Sequence, residues 1–226
     1  MGVLFGVGAQ VGDFAVGDRV TTTQAERTYA DAFLVDAAKA KEGDVAVVTA
    51  AAGGVGGLLV QLLRKQGATV IALVGSEEKA DAARSLGADV ALVGYGDFAE
   101  RVREATGGRL ADVVYDSVGR DTFDESLRAL RSRGMLVLYG ASSGAVPDFD
   151  LQRLNHHGSL YVTRPTIDDY LQDQNERSWG SREIFDAVID GSLKVRIAGT
   201  FPLAESGRAQ AALQSRAVTG KLLLVP

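Results

Sequence analysis

The chain has 226 residues, 46% hydrophobic and 23% charged, and its length corresponds to about 1.5 domains, one full α/β domain and a smaller unit. It contains no cysteine, which removes disulfides, thiolate nucleophiles and cysteine-based metal sites; its two histidines, His156 and His157, are adjacent, and such neighbours rarely converge on one metal. A formal net charge of −5 without a long basic run disfavours a nucleic-acid surface. No stretch reaches the roughly 18 apolar residues of a membrane span. The opening MGVLFGVGAQVGDF has no basic n-region, and Gly6 stands where myristoylation needs Ser or Thr, so a cytoplasmic protein is expected.

Residues 1–41 read as a small β-rich unit, with short strand patterns at Arg19 to Thr23 and Ala32 to Val35 between turn signals. From Lys41 the rhythm changes. Val45 to Thr49 is a short buried-strand pattern, followed by a glycine-rich turn and a helix pattern from Val55 to Gln66 that Gly67 closes. Thr69 to Val74 is a second strand. Ser76 then caps a helix with Glu77 and Glu78 in its first turn, and Gly87 ends it. Val90 to Val93 is a third strand, and Asp97 caps a helix from Phe98 to Ala105. A fourth strand, Asp112 to Asp116, precedes a helix that Thr122 starts and that runs through Arg133 to a stop at Gly134. Met135 to Tyr139 and Ser159 to Thr163 are the fifth and sixth strands, with His156 and His157 in a polar loop. After a polar stretch at Gln172 to Ser178 come a helix (Ser181 to Asp190), a strand (Leu193 to Ala198), a helix (Leu203 to Ser215) and a last strand (Lys221 to Val225). Strands alternating with helices imply βαβ units in a parallel sheet covered on both faces.

The sharpest motif is Ala50-Ala51-Ala52-Gly53-Gly54-Val55-Gly56-Gly57, directly after the first strand of this series and opening a helix. It matches G-x-G-x-x-G with Ala51 in the first glycine place. Such a turn reverses tightly, lets backbone approach a diphosphate and presents helix N–H groups to it. The plainer alternative is a tight βα turn without a ligand. An NAD site places Asp or Glu at the tip of the second strand; here Val74-Gly75-Ser76 stands there, with Lys79 three residues on. A hydroxyl, backbone N–H groups and an ammonium suit a 2′-phosphate, so NADPH is favoured over NADH. Lys79 as a solvated surface lysine is the alternative, and Glu77 and Glu78 read as helix-dipole partners.

The runs GDVAVVTAAAGGVGGLLVQLLRKQGATVIALVGSEEKA, VVYDSVGRDTF, GMLVLYGASSG, GSLYVTRPT and LQSRAVTGKLLLVP resemble the NADPH:quinone oxidoreductases. These are the zinc-free, zeta-crystallin-like branch of the medium-chain dehydrogenase/reductase superfamily. VGDFAVGDRV and TYADAFLVDAAK resemble pieces of that family's GroES-like catalytic domain. The resemblance implies a Rossmann doubly wound parallel sheet over 42–190 and a reduced GroES-like β-rich unit from 1–41 and 191–226. It places Gly53, Gly54 and Val55 at the diphosphate, Ser76 and Lys79 at the 2′-phosphate, and Tyr95 on the adenosine side. It also places Ser117 near the ribose, Tyr139 at the nicotinamide face, and Arg164 and Arg216 on the far side of the cofactor. Taken singly, Ser117 could cap the next helix, Tyr139 could be strand-end packing, and either arginine could be a surface ion-pair partner.

Against the family pattern, the chain starts within the catalytic domain and joins VDAAKA directly to KEGD. The family's Asn, Asp, Tyr and Thr contacts to the nicotinamide end fall in those regions, and its common Asn after the fifth strand is Ala141. The expected activity is hydride transfer from NADPH to a quinone or an α,β-unsaturated carbonyl, with no metal; Tyr29 and Arg164 are proton-donor candidates by type only. The alternative is a non-catalytic or partner-dependent NADPH-binding module that has lost part of its substrate pocket. A short-chain dehydrogenase is excluded because none of the six tyrosines has Lys four positions later. The edge strand 159–163 is expected to pair two subunits as a homodimer.

Overall fold

The computed structural model describes residues 2–3, 19–20, 40–166, 169, 182, 184–215 and 218–226. The expected strand Ala32 to Val35, the polar stretch Gln172 to Ser178, and the candidates Tyr29 and Arg216 lie outside the described residues. Two short strands, β1 (Gly2–Val3) and β2 (Arg19–Val20), pair antiparallel.

The centre of the molecule is a six-stranded parallel sheet built from β3 (Val45–Thr49), β4 (Thr69–Val74), β5 (Val90–Val93), β6 (Ala111–Asp116), β7 (Leu130–Leu138) and β8 (Tyr161–Thr163). Its spatial order is β5-β4-β3-β6-β7-β8. The chain winds outward from β3 to β5, then returns to β6 beside β3 and winds the other way. Right-handed crossovers therefore put the helices of the two halves on opposite faces. This is the Rossmann doubly wound arrangement.

The strand residues divide between the faces with period two. Ala46, Val48, Val70, Ala72, Val74, Val113 and Tyr115 pack on one side with Leu59, Val60 and Leu63 of α1 (Gly56–Lys65) and Ala80 and Ala83 of α2 (Glu77–Ser85). Val45, Val47, Ile71, Leu73, Val114 and Leu136 pack on the other with Phe98 and Val102 of α3 (Phe98–Ala105) and Phe123 and Leu127 of α4 (Phe123–Arg128). Every residue of β3 and β6 is buried; β3 is a nearly unbroken apolar run, as expected of a strand covered on both faces, while β6 also carries the buried Asp112 and Asp116.

Three expectations are corrected. The helix after Thr122 stops at Arg128 rather than Arg133, and β7 begins at Leu130, paired with Ala111. Tertiary bonds override the helical pattern here: the Ala111 amide donates to Ala129 O (2.9 Å), and Arg131 turns onto Asp112. Asp97 does not cap α3; its own φ is 45°, and the carboxylate of Glu125 accepts from the Ala99 amide instead (2.9 Å). His156 is not in a loop but ends the short helix α5 (Gln152–His156), with His157 just beyond it.

The C-terminal strand pattern is also displaced. A helical segment, α6 (184–189), leads into Leu193, which is buried against Leu58 and Ala187. The Gln61 side chain then grips Lys194 from α1, donating to its carbonyl (3.0 Å) and accepting from its amide (2.7 Å). Backbone so engaged does not enter a ladder, and β9 forms at Ile197–Pro202 instead of Leu193 to Ala198. After α7 (Ser206–Gln214), β10 (Lys221–Val225) returns to pair parallel with β9.

At the amino ends of the central strands, the buried carboxyl of Asp112 accepts from the Val45 amide (2.7 Å) and Arg109 (2.8 Å), and also from Arg131. Burial pushes this carboxyl up, but the Val45 amide, Arg131 and Arg109 outweigh it and hold it below the ordinary carboxylate value. A depressed folded-state value means stability that is present above about pH 4 and is lost as pH falls through the folded value. Asp112→Asn is expected to cost about 3 kcal/mol at neutral pH, the low end for breaking a buried pair, since both guanidinium groups keep water contact. In urea titrations the gap between the variant and the parent should narrow below about pH 4; a gap independent of pH counts against the ion cluster.

Candidate dinucleotide site

In a doubly wound sheet, ligands bind outside the carboxyl ends of the strands where the order reverses. Here that point lies between β3 and β6. The chain leaves β3 through Ala50, held at φ 48°, and the Gly53 amide closes the turn on Ala50 O (2.8 Å). α1 starts at Gly56 after Val55, with no side-chain cap and no acidic residue in its first turn. The amides of Gly54, Val55 and Gly56 have no acceptor among the described residues. Three N–H groups and the positive end of a ten-residue helix therefore face the reversal point, an arrangement that favours an anion.

The glycines are there for space. A Cβ at Gly56 would stand 2.4 Å from Ala50 O and 2.9 Å from Ala51 Cα, so only hydrogen lets the helix start this close to the turn. A Cβ at Gly53 would be 3.0 Å from the same oxygen. Such a cradle, kept open by missing side chains and lined by unengaged amides, fits the diphosphate of a dinucleotide.

The candidates named from sequence that lie among the described residues follow the carboxyl ends of the six sheet strands, one group to each strand. Gly53, Gly54 and Val55 follow β3. Ser76 follows β4 and caps α2, its hydroxyl accepting from the Lys79 amide (3.4 Å), while Lys79 itself is half-buried in the first turn of that helix. Tyr95 follows β5 on a loop that Arg101 clasps, its guanidinium donating to Val93 O (2.7 Å), Gly94 O (2.7 Å) and Gly96 O (3.1 Å). Ser117 follows β6, and half-buried Tyr139 follows β7 and packs against the core. Arg164 follows β8, exposed, its guanidinium 3.5 Å from Pro165 O. Tyr95 and Arg164 stand at opposite sheet edges, five strand spacings or about 24 Å apart.

One part of the site is absent from those candidates. Thr49, the last residue of β3, accepts from the Ser117 amide (2.9 Å) and donates to Asp116 Oδ1 (3.2 Å). Asp116 is fully buried and also accepts from the Val118 and Gly119 amides and from the hydroxyls of Thr122 and Ser126. This node fixes Ser117 beside the glycine turn. Its sequence signal is a polar residue closing each of two apolar runs, VAVVT and ADVVYD. Thr122 precedes α4 as expected, but its hydroxyl bonds to Asp116 rather than capping the helix.

Gly56→Ala is expected to cost about 3 kcal/mol of stability, because the new methyl meets backbone that cannot yield. Gly54→Ala, which meets the flexible stem of Lys221 at 3.2 Å, should cost under about 1 kcal/mol. Urea unfolding of the two variants checks the order; equal costs would contradict the steric account.

The sequence of residues 54–172 matches the family model for zinc-binding dehydrogenases. The chain is 46% identical over 191 residues to a 2-haloacrylate reductase of a Burkholderia species, covering 83% of this chain and 57% of that protein. It is 44% identical over 180 residues to quinone oxidoreductase 1 of Escherichia coli K12, covering 78% and 55%. The chain therefore spans little more than half the length of these curated relatives. Among solved structures, the Escherichia coli quinone oxidoreductase complexed with NADPH superposes with a TM-score of 0.88 at 35% identity, covering all of this chain and 80% of that one. The zinc in the family's name has no fitting donor set here: the sequence has no cysteine, and among the described residues no three His, Asp or Glu side chains converge. The strand order, the glycine turn and these similarities agree, and the chain belongs to the zinc-binding dehydrogenase family, in the quinone oxidoreductase branch of the medium-chain dehydrogenase/reductase superfamily.

Proposed function

We propose that the protein is an NADPH-dependent oxidoreductase that reduces a quinone or an α,β-unsaturated carbonyl. The observation that carries this reading is the ring of unengaged amides at Gly54 to Gly56, set on an uncapped helix at the reversal point of the sheet. The names of the relatives, quinone oxidoreductase and 2-haloacrylate reductase, supply the acceptor class.

In this reading Gly53, Gly54 and Val55 receive the diphosphate. The Ser76 hydroxyl still has a proton to donate after accepting from Lys79 N, and with the Lys79 ammonium it holds the 2′-phosphate. Tyr95 borders the adenosine, Ser117 the ribose on the other side, and Tyr139 the nicotinamide, with Arg164 and Arg216 reaching in from the far side. The bound cofactor supplies the hydride. The chain supplies position: the Thr49–Asp116 node fixes Ser117, and the apolar strand ends around Tyr139 exclude water from the ring. Positive backbone dipoles near the developing acceptor oxygen would stabilise its charge.

The same proposal divides the chain into a Rossmann unit over 42–190 and a reduced GroES-like unit over 1–41 and 191–226. The separate β1–β2 and β9–β10 pairs support that division. It takes the enzyme as zinc-independent and cytoplasmic, acting on small molecules rather than nucleic acid or membrane. Among the described residues no helix is long and apolar enough to cross a membrane. It also takes β8 as a dimer interface: β8 is one of the sheet's two edge strands, and its Tyr161 is 58% exposed.

Fluorescence titration should find NADPH bound more tightly than NADH. Lys79→Ala should remove about 1.5–3 kcal/mol of NADPH affinity and leave NADH unchanged; equal loss for both would refute the 2′-phosphate assignment. Acceptor-dependent NADPH oxidation across quinones, enals and enones completes the test, and binding without turnover selects the binding-module alternative. Sedimentation at micromolar concentration is expected to give a dimer; a monomer removes the edge-strand pairing.

A further inference from the structure

β10 brings a cation to the glycine turn from outside the six-stranded sheet. Gly220, at φ 109°, passes so close to Arg196 that a Cβ there would lie 2.5 Å from Arg196 O, and the Lys221 amide donates to that same oxygen (2.8 Å). This contact sets the first residue of β10 beside α1. The half-buried Lys221 side chain then lies along Gly54: a Cβ on Gly54 would be 3.2 Å from Lys221 Cγ and 3.5 Å from its Nζ. The cleft where these elements meet encloses about 40 Å³ beside Gly53 and Gly54. Lys194, Arg196 and Lys221 all line it, and among the described residues no acidic one does, in a chain whose acids outnumber its bases by five.

We infer that Lys221 is a ligand of the cofactor's diphosphate, its ammonium closing over an anion held on the Gly54 and Val55 amides. This rests on the reading of the glycine turn as a diphosphate site. An anion on those amides comes within the ion-pair range of about 4–6 Å of the ammonium. Gly54 has a second purpose in consequence, since a side chain there would displace the lysine stem. The role is distinct from that of Lys79: Lys79 selects between two dinucleotides, whereas Lys221 strengthens both. The competing role for Lys221 is structural alone, its stem covering Gly54 without contact between the ammonium and a ligand.

Isothermal titration of the full chain with ADP, which carries the diphosphate, and with adenosine 2′-monophosphate, which does not, separates these roles. Lys221→Met is expected to weaken ADP, NADH and NADPH alike by about tenfold. It should leave adenosine 2′-monophosphate unchanged and flatten the salt dependence of ADP binding. Lys221→Arg should restore ADP affinity. Lys79→Ala should give the opposite pattern, weakening only NADPH and adenosine 2′-monophosphate. Unchanged ADP affinity in Lys221→Met overturns the inference, as does an equal loss for adenosine 2′-monophosphate. If Lys221→Met does not fold, loss of ADP affinity in a folded Lys221→Gln, with retention in Lys221→Arg, supports the inference, and retention in both overturns it. A parent protein that binds none of these ligands would instead sink the glycine-turn reading itself.

Discussion

The carboxyl group of Asp116 holds the reversal point of the sheet together. It is fully buried, and its partners are two backbone amides and three hydroxyls, from Thr49, Thr122 and Ser126. Polar groups in a low-dielectric interior are tolerable only when satisfied in this way. Because Thr49 ends β3 and Asp116 ends β6, the same bonds tie together the two neighbouring strands of the sheet that are furthest apart in chain order. The loop after β7 hangs from the same point. The Tyr139 amide donates to Asp116 O (2.9 Å), and Gly140 approaches Ser117 so closely that a Cβ would lie 2.4 Å from its carbonyl oxygen. Past β3, β6 and β7 the carboxyl edge of the sheet is therefore a connected polar lattice rather than a row of independent loops.

That lattice explains how a glycine turn can remain open. An N-terminal helix end without a cap is normally a cost, and a serine or aspartate at Val55 would satisfy it internally. Here stability comes from the two faces of the sheet, and the turn keeps its donors unspent. The acidic excess of the chain is kept away from the same place: the first turn of α1 has no acid, while α2 carries Glu77 and Glu78 behind its own Ser76 cap.

Much of this was legible in the residues. The strands Val45–Thr49, Thr69–Val74, Val90–Val93 and Lys221–Val225 match their expected runs to the residue, and a glycine lies within two residues of at least one end of each. Gly67 and Gly87 end their helices with positive φ, as their positions suggested. Three of the differences share one cause. The end of α4 is set by Arg131 reaching Asp112, the start of β9 by Gln61 holding Lys194, and the start of α3 by Glu125 supplying the cap. Each partner comes from another element, and local pattern carries no record of it. The site divides in the same way. The glycine turn is a continuous run of eight residues and reads directly. The Thr49–Ser117 bond and the approach of Lys221 to Gly54 join positions far apart in sequence, so only the folded chain reveals them.

Arg101 carries a last consequence. Its guanidinium already occupies the carbonyls of Val93, Gly94 and Gly96, so the segment after β5 has little freedom left to surrender. A guest arriving at that margin meets a wall and not a flap. Its affinity there reflects shape fixed beforehand, with no ordering penalty deducted at the moment of contact.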